Sequence, residues 1–294
     1  MILTYTVSKA EEGQKVSNIL RNKLNISSRL LTKLKMNEKI LVNDIPVFSS
    51  HIVNSGDFIT AKIDFEEEDY IEAENIPLDI LYEDEFLLAV NKPAGMVVHP
   101  SSYHLNRTLA NGVKYYLNNN KKIRPINRLD RDTSGIVLFA KNEYIQECMK
   151  QENTMEKEYL TILTGLLDEK SGTIDAPIAR KPDSIMERVV NESGQTAITH
   201  YKVLEECNLE NLSLVQVKLE TGRTHQIRVH FAYKGHSILG DTLYGVETSL
   251  INRQALHAWR LSFVHPMSKE QILIVAPLPE DMKKVLEKIN INKF

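Results

Sequence analysis

The chain has 294 residues, of which 42% are hydrophobic and 26% charged, with a formal net charge of −3. This composition predicts a globular protein of one large domain with a smaller companion, and the near-neutral charge argues against a chain that is basic throughout. No run of about 18 apolar residues is present, so no membrane span is expected; the start MILTYTVSKAEEGQK has no secretion-signal pattern, and Cys148 and Cys207 form neither a metal-ligand pair nor a disulfide framework, so a reducing cytoplasm is the expected compartment.

In chain order, Val16, Ile19, Leu20 and Leu24 fall at helical spacing in VSNILRNKL. Ser27 or Ser28 is placed to cap a second helix whose apolar stripe is Leu30, Leu31 and Leu34. KILVND and DFITAKID read as strands, with turn chemistry at Asn43-Asp44 and at Ser55-Gly56-Asp57. This first segment is basic, carrying Lys9, Lys15, Arg21, Lys23, Arg29, Lys33, Lys35, Lys39 and Lys62 against fewer acids. The acidic stretch DFEEEDYIEAE that follows has little to bury and reads as a solvated linker.

Beyond it strands dominate. ILYEDEFLLAVNK predicts a hairpin turning at Glu83-Asp84-Glu85, and IVLFA, YLTIL, QTAITHYKVL, LSLVQVKLE and ILIVAP follow. Val215, Val217 and Leu219 alternate with Gln216 and Lys218, as on a sheet with one face buried. Helices are expected at about 108–117, 143–151, 225–233 and 280–289. Strands and helices do not alternate regularly, so the fold class predicted is α+β: a mainly antiparallel, mixed sheet with flanking helices, plus the small N-terminal α+β unit.

Four segments place polar groups at the edges of apolar elements: NKPAGMVVHP (91–100), NRLDRDTSG (127–135), KEYLTILTG (157–165) and TGRTHQIRVH (221–230). In the second, Asp130 stands between arginines in a short loop before a buried strand, and nearby positive charge keeps a carboxylate ionised and usable as nucleophile or base. A surface ion-pair loop is the plain alternative. In the fourth, Thr224 is placed to cap the following helix, Arg223 sits at the junction, and Ile227 and Phe231 share an inward face. His225 and His230 are not spaced as a metal pair, and a structural or RNA-facing role is expected for them. An ordinary strand tyrosine is the plain reading of Tyr159; beside a nucleophile its ring can stack on a nucleobase. There is no phosphate-binding loop, no dinucleotide fingerprint, no zinc-deaminase signature and no obvious second acidic residue of a glycosidase pair.

R-L-D-x-x-T-S-G, K-x-Y and T-G-R-T-H-Q-I-R, in that order, resemble the RluA family of pseudouridine synthases over roughly residues 76–294, with NKPAGMVVHP, ILGDTLYG (238–245) and LHAWRLSFVHP (256–266) as further similar segments. Residues 1–65 resemble the small RNA-binding module named after small-subunit ribosomal protein four, and 66–75 is then the linker between module and catalytic domain. The resemblance implies an enzyme that isomerises uridine to pseudouridine in structured RNA, ribosomal RNA before transfer RNA. No cofactor or metal is expected, because no redox change or phosphoryl transfer occurs, and no second carboxylate, because the leaving base is also the incoming nucleophile. It implies Asp130 as essential carboxylate, Arg128 as the arginine entering the RNA stack, Tyr159 as the aromatic packing on the flipped uracil, and Arg223 as the arginine pairing with Asp130. Arg29, Lys33 and Lys35 are the expected RNA contacts of the small module, and a monomer with no obligate protein partner is expected. One departure is Asn127, where many members have histidine; an amide does not titrate, so no acid-base role is expected there. A non-catalytic RNA-binding protein and a base-excising nucleosidase are the competing readings.

Overall fold

The computed structural model describes residues 1–65, 69–101, 104–118, 122–152 and 154–291. The chain forms two compact units. The first holds residues 1–65 and 69–70 together with 122–124 and 140–152, and the second holds the rest. The division therefore does not fall at one linker, as a boundary at 65–76 had implied. Residues 66–68 of that linker lie outside the described residues.

In the first unit, strands β1 (Ile2–Thr6), β2 (Ile40–Val42), β3 (Ile45–Pro46) and β4 (Phe58–Lys62) form an antiparallel sheet in the order β1-β4-β2-β3. Helices α1 (Val16–Asn22) and α2 (Ser28–Met36) bury Val16, Ile19, Leu20, Leu30, Leu31 and Leu34, the expected stripes apart from Leu24, which lies beyond the end of α1. Ser27 caps α2 by accepting the Leu30 N–H. Asn43 and Asp44 both adopt positive φ, 51° and 64°, which gives the tight β2–β3 hairpin the twist it needs.

In the second unit the strands are β5 (Ile80–Glu83), β6 (Leu87–Lys92), β7 (Arg124–Pro125), β8 (Ser134–Ala140), β9 (Glu156–Thr164), β10 (Ser171–Asp175), β11 (Ile178–Arg180), β12 (Arg188–Val190), β13 (Ile198–Cys207), β14 (Leu212–Leu219), β15 (Leu256–Val264) and β16 (Gln271–Val275). Its helices are α3 (Leu109–Leu117), α5 (Gln226–Tyr233) and α6 (Glu280–Lys288), while α4 (Glu143–Glu152) belongs to the first unit. The main sheet runs β10-β13-β14-β9-β15-β8-β6-β5, with β7 joined to β8 and β16 to β15. The β10-β13-β14-β9-β15 run, β15–β16 and β5–β6 pair antiparallel and β15 with β8 pairs parallel, so the mainly antiparallel α+β expectation holds. A core of Leu160, Ile162, Leu214, Val215 and Val217 lies under Phe231 of α5 and Met282, Val285 and Leu286 of α6. The β5–β6 hairpin turns where expected, and the Asp84 carboxylate accepts the Phe86 and Leu87 N–H groups.

Two expectations change. The acidic segment is not simply solvated: the buried Asn111 of α3 donates through Nδ2 to Glu72 O, and the Glu74 carboxylate accepts the Arg107 N–H, so the segment pins the start of α3. Strand β15 was not foreseen as a strand, yet it joins β9, β8 and β16.

Gly135 makes that junction possible. It adopts φ +110° and lies so close to Ala258 that a Cβ would fall against the Ala258 carbonyl oxygen and 2.7 Å from its nitrogen. Gly135→Ala therefore meets both backbone strain and steric overlap. A loss of about 2–4 kcal/mol of stability is expected, read as a lower denaturation midpoint at unchanged slope. A midpoint within error of wild type would show that the strands part freely here.

Candidate active site

The loop between β7 and β8 carries Asp130, and buried groups fix it from several sides. Asn127 spans to β8, donating through Nδ2 to Ile136 O and accepting the Leu138 N–H. An amide holds one donor and one acceptor at once, so the departure at 127 has a structural use. Lys92, fully buried at the end of β6, donates to Pro93 O, Met96 O and Arg131 O at 2.7–2.9 Å, which ties the NKPAGM segment to the Asp130 loop. Burial pulls its ammonium down to about 7. Arg253, paired bidentately with Asp281, donates to Asp132 O.

The opposite wall is the start of α5. Thr224 does not cap this helix; the N-cap is His225, in the left-handed region at φ 57°, with no capping bond from its side chain. Gln226 holds the turn instead. Its Oε1 accepts from Arg223 N and Thr221 Oγ1, and its Nε2 donates to Ile198 O and Thr199 Oγ1. Ile227 and Phe231 pack inward as expected.

The guanidinium on Asp130 belongs to Arg228, not to the expected Arg223. Arg228 Nη1 donates to Asp130 Oδ2 at 3.0 Å, whereas Arg223 is exposed and its Nε donates to Thr196 O at 2.9 Å. The reason lies in the phase of the chain. Arg223 leaves the turn outward before the helix begins. Arg228 lies one turn beyond His225, and His225 Nε2 stands 3.7 Å from the same carboxylate oxygen. Arg228 is in turn held by the fully buried Asp241, through Nε at 2.7 Å and Nη2 at 2.9 Å. Asp241 Oδ1 also accepts the Leu243 and Tyr244 N–H groups, which accounts for the ILGDTLYG segment. Burial opposes the charge of Arg228, but Asp241 and Asp130 outweigh it and hold its pKa above the usual arginine value.

Asp130 lines a cleft of about 670 Å³ with Arg128, Lys157, Tyr159, Arg223, His225 and Arg228. Tyr159 of β9 is 6% exposed, and burial, then the Asp130 charge, push its phenol above the usual range, so it is a protonated surface and not a base. Lys157 shares its strand face, and burial lowers its pKa. Arg128 is exposed. Among the described residues lining the cleft Asp130 is the only carboxylate, an arrangement suited to one nucleophile or base and unlike a two-carboxylate hydrolase. Among the described residues no cluster of His, Cys, Asp or Glu is placed to hold a metal, and no helix is long and apolar enough to cross a membrane.

The expected RNA contacts of the first unit divide. Lys33 and Arg29 approach the buried Glu143 of α4 at 2.5 and 3.8 Å, while Lys35 lies in the last turn of α2 and is exposed. His230 is a satisfied core histidine, bonded to Thr199 Oγ1 and Ala176 O.

Residues 86–233 match the RNA pseudouridylate synthase family, and residues 3–59 match the RluD ribosomal pseudouridine synthase N-terminal domain. The chain belongs to the RNA pseudouridylate synthases, of the RluA type. It is 40% identical to the RNA pseudouridine synthase YhcT of Bacillus subtilis (strain 168), over 96% of each chain. It is 35% identical to the ribosomal large subunit pseudouridine synthase D of Haemophilus ducreyi (strain 35000HP), over 98% of this chain and 94% of that one. The solved structure of human RNA pseudouridylate synthase domain containing 1 is similar with a TM-score of 0.57 at 25% identity, covering 77% of this chain and 98% of that one.

Sequence reasoning passed over Arg228, Asp241 and Tyr244. The structure supplies the reason: residues 226–231 are buried throughout, and an arginine inside such a run needs an acidic partner. Arg228→Ala leaves Asp241 buried and unpaired, so a loss of about 3–5 kcal/mol is expected along with loss of turnover. Arg223→Ala is expected to change stability by less than about 0.5 kcal/mol. Thermal melts and single-turnover rates of the two variants, side by side, check this; equal damage from both would contradict the assignment.

Proposed function

We propose that this enzyme isomerises uridine in ribosomal RNA with Asp130 as the carboxylate that begins the reaction. The observation that carries the reading is the placement of the cleft's one described carboxylate against Arg228, beside the buried ring of Tyr159. Asp130 starts the cleavage of the bond from ribose C1′ to uracil N1. The base turns, C1′ bonds to C5, and the C5 hydrogen leaves as N1 gains a proton. Atoms balance without water or redox change, so no second carboxylate is required. The target base must leave the RNA stack, and Arg128 fills the gap while Tyr159 packs on the flipped uracil. Arg223, exposed at the cleft, is a contact for the RNA backbone in this reading.

Ribosomal RNA is favoured over transfer RNA by the match of residues 3–59 to an N-terminal domain of ribosomal pseudouridine synthases, and by the ribosomal large-subunit enzymes among the similar chains. The basic face of the first unit anchors the RNA through Lys35 and its neighbours, with Arg29 and Lys33 shared between RNA and Glu143. The enzyme acts as a monomer in the cytoplasm.

Asp130→Asn keeps size and removes charge. Tritium release from transcripts labelled at uracil C5 is expected to fall below a few per cent of wild type with the melting temperature unchanged. Release above that level would overturn the role. Lys35→Gln is expected to weaken RNA binding and to flatten the plot of log affinity against log salt by about one unit of slope; an unchanged slope would remove Lys35 from the interface. Pseudouridine mapping of total RNA with and without the enzyme tests the target, and a site lost only from transfer RNA would contradict the ribosomal reading.

A further inference from the structure

His225 occupies a position that needs an explanation. It is the N-cap of α5, where Ser, Thr, Asp or Asn is the usual choice, yet its side chain caps nothing and its backbone is held at φ 57° and ψ 20°. A residue with a Cβ adopts that region at a cost, sustained only when surrounding contacts require it. Those contacts are on its ring. Nδ1 lies 2.8 Å from Tyr244 Oη, Nε2 lies 3.7 Å from Asp130 Oδ2, and the Tyr244 ring meets it edge-on at 5.6 Å between centroids.

The hydrogen-bond inventory favours one ring nitrogen as the carrier of the proton. Tyr244 Oη accepts the backbone N–H of Arg188 in β12 at 2.8 Å. A phenol has one proton to give, and the acceptor within reach among the described contacts is His225 Nδ1. A neutral imidazole whose Nδ1 accepts carries its proton on Nε2, the atom facing Asp130. Burial, with Arg228 and Arg188 beside it, lowers the pKa of His225, which agrees with a neutral ring. The arrangement has a chemical point. Arg228 already sets a positive charge, shared with Asp241, against Asp130. A second would hold the carboxylate ionised but blunt it as a base or nucleophile, while a neutral N–H directs it without that penalty.

We propose that Tyr244 fixes His225 in the tautomer protonated at Nε2, and that His225 in that form is a positioning residue that directs Asp130 together with Arg228. The 3.7 Å separation in the free enzyme shortens to a hydrogen bond when RNA fills the cleft. This inference rests on the reading of Asp130 as the reacting carboxylate.

The test uses the full-length enzyme with 15N-labelled histidine. Two-bond proton–nitrogen correlation reads which ring nitrogen of His225 is protonated: Nε2 is expected in the wild type, and in Tyr244→Phe, which keeps the ring under Arg228 and removes the hydroxyl, a shift toward Nδ1. Single-turnover rates on C5-tritiated ribosomal transcripts supply the second readout. His225→Ala is expected to slow turnover about tenfold at unchanged RNA affinity. His225→Gln, whose amide N–H reaches about as far as Nε2, is expected to recover part of that loss, and His225→Asn, whose amide stands in for Nδ1, to recover none. A proton on Nδ1 in the wild type, or a Gln variant no faster than the Ala variant at equal melting temperature, would overturn the proposal. Asp130→Asn is run beside them. If it turns over, the reading of Asp130 fails and the proposal falls with it. If it is dead while His225→Ala is normal, only the role of His225 fails.

Discussion

A buried guanidinium shared by two carboxylates organises this active site. Arg228 leaves water almost completely, which is tolerable only if its charge is matched and its N–H groups are used. Asp241, fully buried and itself held by the Leu243 and Tyr244 N–H groups, takes Nε and Nη2. Nη1 remains, and it points to Asp130. The planar fork of arginine makes this division of labour directional, so the position of Asp130 follows from the position of Asp241 on the other side. A lysine carries the same charge without the fork.

The fold serves this contact from two directions. On one side, Gln226 anchors the start of α5 with two hydrogen bonds to β13 and two within the preceding turn, which sets the helix phase that brings His225 and Arg228 to the same carboxylate. On the other, Lys92 and Arg253 hold the Asp130 loop by the Arg131 and Asp132 carbonyls, and Asn127 ties the loop to β8 through Ile136 O and the Leu138 N–H. Gly135 then admits β15 alongside β8 where the loop ends. A carboxylate placed between two elements, each fixed by buried polar bonds, is held before any ligand arrives, and such pre-organisation costs nothing at the moment of use.

Much of this was legible in the sequence. The six α-helices among the described residues lie within a residue or two of the expected ranges, α1 and α2 because each has a buried apolar stripe and a polar face. The motif loop around Asp130 and the strand of Tyr159 were legible for the same reason, being polar residues at the ends of apolar runs. Strand β15 was not: Trp259 and Arg260 interrupt its alternation where its register shifts against β9. The choice between Arg223 and Arg228 was not legible either. Five residues apart in one motif, they differ only in whether the helix has begun, and Asp241, which decides the matter, is 13 positions further on. His225 and His230 looked alike in sequence, yet His230 is buried against Thr199 and His225 faces the Asp130 carboxylate.

Asp241 contacts neither Asp130 nor the open cleft in any described hydrogen bond, so its effect on turnover must pass through the groups it holds, first Arg228 and then the backbone of Leu243 and Tyr244. A single-turnover cycle of Asp241→Asn, Arg228→Lys and the double variant measures this directly. If the shared guanidinium positions the carboxylate, Asp241→Asn alone slows the chemical step at least about tenfold, and the double variant is no slower than the worse single. An Asp241→Asn enzyme at the wild-type rate, or losses that simply add, would contradict the account.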